Sequence, residues 1–296
     1  MRERRSQLVL GLDPDPRRLW PRANAPAGGN ASPAERAAGA VVDHCMAVIE
    51  SAGPACVAVK LQLACFERLG APGWAALERA AQVAREAGLL VVADGKRGDV
   101  PVTAAAYAQA LVGSTAAPDG DVSGLGADAF TANPLLGRDA LAPLVDAAGA
   151  AGAGVFVLVR TSNPGAADVQ DLTVTGANGQ DRPLWEHLAG LVDELGADLA
   201  GAGGLSHVGA VTGATEPAHL KRMRELMPRA VFLLPGVGAQ GGRVQDLAPA
   251  FAPGPAAGLV AASRAIVDAA GADRGSAARE AAERLREQAW ELSGGC

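Results

Sequence analysis

Short apolar runs alternate with longer Ala-rich stretches along the whole sequence, and this alternation is what most constrains the fold. There are eight such runs, at residues 8–12, 57–61, 89–93, 127–131, 154–159, 208–211, 231–234 and 258–262. Runs that are mostly apolar and do not alternate regularly with polar residues are typical of parallel strands that are covered on both faces. Dividing 296 residues among eight units gives 37 residues per unit, close to a (β/α)8 barrel of ~250 residues plus insertions. An open, doubly wound sheet remains the alternative.

Seven stretches between or after these runs are predicted to be helices, at residues 33–51, 73–87, 102–112, 138–148, 183–195, 217–227 and 276–292. The first of them begins with Ser32 as a predicted N-cap and Pro33 at the first helical position. The connection after Gly242 has the weakest helical pattern. Three longer insertions rich in Gly, Pro and polar residues lie near residues 14–32, 114–124 and 161–182. No linker divides the chain, so we expect a single domain over residues 1–296.

Charge and hydropathy exclude several classes of partner. With 26 Lys and Arg against 32 Asp and Glu, the net charge is −6, which disfavours a nucleic acid as the main partner. No stretch approaches 18 consecutive apolar residues, and the run at residues 8–12 is shorter than the apolar region of a signal peptide. We therefore expect a cytoplasmic protein without a membrane partner.

Cysteine and histidine spacing does not indicate a metal site. The spacing of the four cysteines matches neither a zinc site nor a disulfide framework, so we expect each to be a reduced thiol. They are Cys45, Cys56, Cys65 and Cys296. The histidines also lack metal-ligand spacing: His44, His187, His207 and His219. The sequence therefore predicts no bound metal.

The strongest local signal is the segment LLVVADGKRGDV at residues 89–100, in which an apolar strand leads directly into charged residues. Asp94 and Lys96 are two residues apart and should point to the same side of that strand. Asp99 supplies a second carboxylate. Lys60 lies within the apolar segment ACVAVKLQLA, where an unpaired ammonium would be costly to bury. These residues predict an alternating charge network, although a solvated charged turn or a purely structural ion-pair network is also compatible with the pattern.

A second signal is the segment LLPGVGAQGG at residues 233–242, whose glycines free the backbone to present N–H groups to an anion. It contains G-x-G-x-x-G, but the next strand ends in Ser263 and Arg264, without the acidic residue that a dinucleotide site requires. Gln240 and Arg264, at the ends of adjacent strands, better suit a single phosphate. An ordinary glycine turn beside a surface arginine is the alternative.

Polar residues also end other predicted strands, namely Asp13 in GLDP, Asn133 in TANP and Ser162 in RTSNPG. Each is also a common turn or cap residue. Because the carboxyl ends of barrel strands meet on one face, we expect the three side chains to lie on the face where barrels hold their active sites.

Taken together, these motifs resemble the orotidine 5′-phosphate decarboxylase family, and most closely its longer bacterial branch. The motifs GLDP, VKLQ, DGKRGDV, NPLLG, TSNPGA, PGVGAQGG and ASR occur in the family's order over almost the whole chain. The resemblance implies a TIM barrel of the α/β class and a homodimer whose two active sites are shared between subunits. It also implies decarboxylation of orotidine 5′-phosphate to uridine 5′-phosphate without metal or other cofactor.

The resemblance also implies roles for individual residues. The charged tetrad would consist of Lys60, Asp94, Lys96 and Asp99, with Lys96 as the proton donor. Asp99 and Thr103 would come from the partner subunit. Asp13 would bind the ribose and Ser162 the pyrimidine. Gln240 and Arg264 would bind the phosphate, and the N–H groups of the Gly238–Gly241 loop would close over it. Asn133 and Pro235 would also belong to the substrate-binding residues.

Three other functions compete with this interpretation. The hexulose-phosphate synthase and ketogulonate-phosphate decarboxylase group shares D-x-K-x-x-D but uses Mg²⁺, and the resemblance places an acid where this chain has Lys60. A non-catalytic nucleotide-phosphate binding protein could keep the barrel without turnover. An NAD(P) oxidoreductase would need an acidic residue at the end of the strand after the glycine motif, where this chain has Ser263 and Arg264.

Overall fold

The computed structural model describes residues 1–20, 31–176 and 179–295. Within these residues eight parallel strands close a barrel, each paired with its neighbours in chain order and the last with the first. They are β1 Leu8–Leu12, β2 Ala58–Gln62, β3 Leu90–Arg97, β4 Ala129–Ala132, β5 Gly154–Arg160, β6 Val208–Thr212, β7 Phe232–Pro235 and β8 Gly258–Ala262. The predicted TIM barrel is thus confirmed, and the open sheet is wrong because β1 pairs with both β2 and β8.

Helices cover the outside of the barrel. Those in the described residues are α1 Pro33–Ala52, α2 Leu63–Glu67, α3 Ala71–Glu86, α4 Pro101–Leu111, α5 Arg138–Ala150, α6 Leu184–Gly196, α7 Pro217–Leu226, α8 Arg264–Val267 and α9 Arg274–Leu292. After β7, residues Val244–Phe251 form a 3₁₀ helix containing Pro249, in agreement with the weak helical pattern there. Proline lacks the N–H that an α-helix interior needs. None of the described helices is both long and apolar enough to span a membrane.

The start of α1 follows directly from its sequence. Ser32 accepts a hydrogen bond from the N–H of Glu35, and the Glu35 carboxylate accepts one from the N–H of Ser32. This capping box satisfies two of the N–H groups that a helix leaves unpaired at its start. The preceding loop was predicted over residues 14–32, of which residues 21–30 lie outside the described part of the chain, as does Cys296.

The barrel interior changes from apolar to polar along its axis. One buried cluster fills its middle with inward-facing side chains from the strands, among them Val9, Val92, Phe156, Val211 and Leu233. A second cluster packs the outward-facing side chains against the helices. Charged and polar groups replace the apolar ones at the carboxyl ends of the strands, where the largest concentration of candidate site residues lies.

Strand β3 is longer than its apolar run predicts. It was expected to end at Ala93 but continues to Arg97. Its pairing with β4 is interrupted by a bulge, because Ala93 pairs with Phe130 and Arg97 pairs with Ala132. Three residues of β3 therefore stand opposite one residue of β4, Thr131. The bulge ends at Lys96, a non-glycine residue with φ of 48°.

The two insertions that are largely described lie at opposite ends of the barrel. Residues 114–124 follow helix α4 and form a hairpin of Ser114–Thr115 with Val122–Ser123, so they lie at the amino-terminal end. Residues 161–182 follow β5 and therefore lie at the carboxyl end. They contain a short 3₁₀ helix and a hairpin of Thr173–Thr175 with Asp181–Pro183, while residues 177 and 178 of this insertion are outside the described part.

Candidate active site

A cavity of about 350 Å³ opens at the carboxyl end of the barrel strands. This volume is within the range of small-molecule sites. Eight of the predicted site residues line this cavity: Asp13, Lys60, Asp94, Lys96, Ser162, Pro235, Gln240 and Arg264. They come from the ends of six different strands or the loops that follow them, which explains why residues so distant in sequence meet here.

The floor of the cavity is a row of alternating charges centred on Asp94. The Nζ of Lys60 lies 2.8 Å from Asp94 Oδ2, and the Nζ of Lys96 lies 2.7 Å from Asp94 Oδ1. Asp13 extends the row, with its Oδ1 3.6 Å from the Nζ of Lys60. The two lysines therefore share one carboxylate, and only the Lys96 side chain, 42% exposed, reaches well into the open cavity.

Electrostatics favours the charged form of the central groups. Burial alone would raise the pKa of Asp94, but the ammonium groups of Lys60 and Lys96 outweigh it and hold that pKa well below its usual range. Burial alone would lower the pKa of Lys60, and the carboxylates of Asp94 and Asp13 outweigh it and raise that pKa. The site therefore holds a fixed array of charges rather than neutral groups.

Two further residues bind Asp94 and were not predicted from the sequence. The Thr131 hydroxyl donates to Asp94 Oδ1 over 2.9 Å, and the Gln62 amide donates to Oδ2 over 3.3 Å. With Lys60 and Lys96 this gives each carboxylate oxygen two donors, the usual capacity of an ionised carboxylate. A signal for Gln62 existed in the VKLQ motif, because it lies two residues after Lys60 on the same strand and therefore faces the same side.

Asp13 is held by the end of the last strand. The Ser263 hydroxyl oxygen lies 2.6 Å from Asp13 Oδ2 and 2.9 Å from the carbonyl oxygen of Gly11. A Cβ at Gly11 would lie only 2.8 Å from that hydroxyl oxygen, so glycine is needed for β1 and β8 to approach here. The sequence predicted no role for the Ser263 side chain, and its contact with Asp13 is a finding of the structure.

The glycine-rich loop at residues 236–242 lies at one side of the cavity. Gly236, Gly238 and Gly241 all have positive φ, so they adopt backbone conformations that other residues rarely take. The N–H groups of Gly238 and Gly241 donate to carbonyl oxygens within the loop, and neither residue lines the cavity. These two predicted phosphate donors are therefore already engaged in the structure.

Arg264 lines the cavity beside this loop. Its side chain is exposed, and its guanidinium forms no hydrogen bond or ion pair with the described residues. Gln240 lines the cavity next to it. An arginine without a partner at the edge of a cavity keeps its planar set of N–H donors available for an anion.

The loop that carries Ser162 is anchored by its neighbours. Buried Arg160 forms two hydrogen bonds to Asp171, over 2.8 and 3.0 Å. The Gln170 side chain accepts the N–H of Thr161 over 2.8 Å. These contacts tie both ends of the segment 160–171 together and hold Ser162 at the cavity wall.

Besides Gly238 and Gly241, three predicted site residues do not line the cavity. Asp99 accepts the N–H of Val100 and forms no ion pair with the described residues. Thr103 is exposed on helix α4. Asn133 accepts the N–H of Leu135 over 3.1 Å, which is the turn geometry that its sequence context also predicted. Among the described residues, no group of three or more His, Cys, Asp or Glu side chains is placed to hold a metal ion.

Comparison with known proteins identifies the family. A sequence profile described as the Orotidine 5′-phosphate decarboxylase / HUMPS family matches residues 6–281. The chain belongs to this family. Orotidine 5′-phosphate decarboxylase of Deinococcus radiodurans is 44% identical over 285 residues, which cover 96% of this chain and 92% of that protein.

Solved structures of related proteins agree with this assignment. The structure of Leishmania donovani OMP decarboxylase has a TM-score of 0.74 and 32% identity, with 99% of this chain and 96% of that chain covered. Leishmania donovani UMP synthase has a TM-score of 0.73 and 33% identity, and this chain spans 54% of its length. The resemblance in the motifs thus extends to the whole chain and its fold.

Proposed function

We propose that this protein decarboxylates orotidine 5′-phosphate to uridine 5′-phosphate and CO₂ without a metal ion or organic cofactor, and that Lys96 is the proton donor. The observation that carries the proposal is the geometry at Asp94, whose two oxygens lie 2.8 and 2.7 Å from the ammonium groups of Lys60 and Lys96. This charge row lies on the floor of the cavity of a chain that belongs to the decarboxylase family.

The chemistry explains why charge must be placed so closely. When the bond from C6 of the pyrimidine to the carboxylate breaks, the electron pair stays on C6 in the plane of the ring, where the π system cannot delocalise it. A cation fixed next to C6 stabilises this charge more strongly than water does, because it needs no reorganisation. The Lys96 ammonium then transfers a proton to C6, and the resulting amine takes a proton from solvent.

Asp94 acts on this step in two ways. It holds Lys96 at hydrogen-bonding distance, and its own negative charge lies near the position that the substrate carboxylate would take. Repulsion between the two carboxylates raises the free energy of the bound substrate and is relieved when CO₂ leaves. Binding of the remote phosphate supplies the free energy that holds the substrate there.

The ligands around Asp94 support a reaction that needs no metal. A divalent cation is usually held by carboxylate oxygens, but here each Asp94 oxygen already binds an ammonium group. Lys60 stands where the Mg²⁺-dependent group of the superfamily is expected to have an acid. A metal ion at Asp94 would therefore be repelled by two neighbouring positive charges.

We propose further that two copies of the chain form a dimer with shared active sites. The surface beside the cavity is apolar at the start of α4 and on the loop after β4, with Val100, Val102, Leu135 and Leu136 exposed by 54%, 85%, 65% and 46%. Asp99 and Thr103 lie on the same stretch as the two valines but outside the cavity of their own chain. A second copy that covers this surface would bring its Asp99 to Lys96 and bury the apolar side chains.

Mixed dimers test the shared site. Lys96→Ala and Asp99→Ala homodimers should each be nearly inactive, since every site lacks one member of the tetrad. After subunit exchange, half of the dimers in an equal mixture pair one variant with the other, and each has one intact site. The mixture should therefore recover about a quarter of wild-type activity. Full activity of Asp99→Ala alone, or no recovery in dimers shown to have exchanged subunits, would contradict the shared site.

Substitution of Arg264 tests the phosphate contact. We expect Arg264→Ala to raise KM for orotidine 5′-phosphate by roughly 10- to 100-fold, because a charge-assisted hydrogen bond contributes ~1.5–3 kcal/mol, and to change kcat much less. The variant should bind uridine 5′-phosphate more weakly but uridine unchanged. Arg284→Ala, on the exposed side of α9, is the matched control. Equal losses for the nucleotide and the nucleoside would rule out the phosphate role.

The function itself is tested with purified protein treated with EDTA. Incubation with orotidine 5′-phosphate should produce uridine 5′-phosphate at the same rate before and after EDTA treatment, followed by the absorbance change and by chromatography of the product. Activity that returns only with added Mg²⁺ would favour the metal-dependent group. Tight nucleotide binding without turnover would favour a binding protein.

A further inference from the structure

We propose that Thr131 is a positioning residue that sets Lys96 against Asp94 by bonding both at once. The inference rests on the proposed decarboxylase function and assigns a role to a residue that the motifs did not indicate. Thr131 is 1% exposed and lies on β4 with its hydroxyl at the floor of the cavity.

The bulge in β3 brings Lys96 opposite Thr131. Between the pairs Ala93 with Phe130 and Arg97 with Ala132, three residues of β3 stand opposite Thr131 alone. A bulge of this kind leaves backbone groups without their usual partner in the strand ladder. The N–H of Lys96 is one such group, and it donates to the Thr131 hydroxyl oxygen over 2.8 Å.

The same hydroxyl also binds the central carboxylate. Its single hydrogen is directed to Asp94 Oδ1 over 2.9 Å, the oxygen that also binds the Lys96 ammonium. A threonine hydroxyl has one hydrogen to donate and two lone pairs to accept with, so both contacts form together. Thr131 therefore joins the backbone of Lys96 to the carboxylate that holds its side chain.

The backbone of Lys96 needs such a support. Its φ of 48° is in the left-handed region, which a residue with a side chain adopts only when its surroundings hold it there. Removal of the hydroxyl would leave the Lys96 N–H unpaired and would release one of four donors from Asp94. The Lys96 ammonium would then lose its fixed position, and displacement of a catalytic group by about 1 Å can cost roughly a hundredfold in rate.

If Thr131 positions Lys96 in this way, loss of its hydroxyl should lower kcat without a comparable change in KM. The residues proposed for phosphate binding, Gln240 and Arg264, follow β7 and β8, whereas the Thr131 hydroxyl bonds Lys96 and Asp94 of β3. Loss of the hydroxyl should therefore impair the chemical step and leave the binding of the nucleotide nearly unchanged.

The test compares Thr131→Val, which removes the hydroxyl at similar volume, with Thr131→Ser, which keeps it. We expect Thr131→Val to lower kcat by roughly 10- to 100-fold with KM within about threefold of wild type. Thr131→Ser should restore kcat to within about threefold of wild type, because it still donates to Asp94 and accepts from Lys96. Thr212→Val is the matched control, since Thr212 is also a buried strand threonine but its hydroxyl forms no hydrogen bond with the described residues.

Each outcome has a distinct meaning. Any of three results would overturn the role of Thr131 alone. The first is a Thr131→Val variant with wild-type turnover, and the second is a Thr131→Val variant with raised KM and unchanged kcat. The third is a kcat of Thr131→Ser as low as that of Thr131→Val. Wild-type protein without turnover would overturn the proposed function and this inference with it. If Thr131→Val does not fold, as judged by thermal unfolding, Thr131→Ala is compared with Thr131→Ser by the same measurements and the same criteria.

Discussion

Replacement of Lys96 by alanine should lower kcat for orotidine 5′-phosphate by at least about a thousandfold, with little change in KM. Lys96 is assigned both the stabilising charge and the proton, and loss of either function alone typically costs about 10²- to 10³-fold or more. Its side chain is 42% exposed, so its removal leaves no cavity in the core. Steady-state kinetics and equilibrium binding of uridine 5′-phosphate measure the two effects separately.

Lys221→Ala is the control for this substitution, because Lys221 is an exposed lysine on α7 outside the cavity. It should have wild-type kinetics and stability. A Lys96→Ala variant with kcat within about tenfold of wild type would show that another group donates the proton. A variant that loses nucleotide binding in proportion to kcat would assign Lys96 to binding instead.

Replacement of Asp94 by asparagine should have a comparable effect on rate and, in addition, a large effect on stability. Without the carboxylate, the one anionic neighbour that Lys60 keeps among the described residues is the more distant Asp13, at 3.6 Å. Removal of one partner from a buried ion pair costs about 3 kcal/mol or more, because the other charge stays buried. We expect kcat to fall at least about a thousandfold and the free energy of unfolding to fall by about 3 kcal/mol near neutral pH.

The stability difference between wild type and Asp94→Asn should depend on pH. The pKa of Asp94 is lowered in the folded protein, so its stabilisation is fully present above the unfolded pKa of about 4 and is lost as pH falls through the folded value. The pKa of Lys60 is raised, so its stabilisation is present below about 10.4 and is lost as pH rises through the folded value. The difference should therefore be constant between these limits and shrink outside them.

Denaturant unfolding at several pH values measures this dependence. Asp119→Asn, at an exposed carboxylate in the 114–124 hairpin, is the matched control and should match wild type throughout. A stability difference that grows as the pH falls below 4 would contradict the sign of the Asp94 effect. An Asp94→Asn protein with unchanged stability would show that Lys60 does not depend on this carboxylate.

The eight strands were predictable because each is a local pattern, while the choice of a barrel over an open sheet came from the family resemblance and is confirmed by the pairing of β1 with β8. Each apolar run needs both faces covered, and eight such runs separated by helices admit few architectures. The alternation of side chains along a strand likewise placed Asp94 and Lys96 on one side, and the same rule would have placed Gln62 on the face of Lys60. Strand ends were less predictable, since β3 runs four residues beyond its apolar segment.

The remaining features depend on contacts between segments that are distant in sequence. The bulge in β3 arises from its register against β4, and no local pattern in residues 89–100 specifies it. The bond of Thr131 to Asp94 follows from that register. The Gly238–Gly241 loop has the expected backbone freedom, yet its internal hydrogen bonds cannot be read from the presence of glycines. The roles of Asp99 and Thr103 depend on a second subunit and remain predictions.

The most direct test of the central claim is exchange of the C6 proton of uridine 5′-phosphate in deuterium oxide, followed by NMR with EDTA-treated protein. Exchange requires the same C6 anion that decarboxylation forms, and the same proton transfer. Wild-type protein should exchange this proton for deuterium at a rate that EDTA does not change, whereas Lys96→Ala and Asp94→Asn should show no exchange above solvent. Exchange that requires an added divalent cation, or that proceeds equally well in Lys96→Ala, would contradict stabilisation of the anion by Lys96.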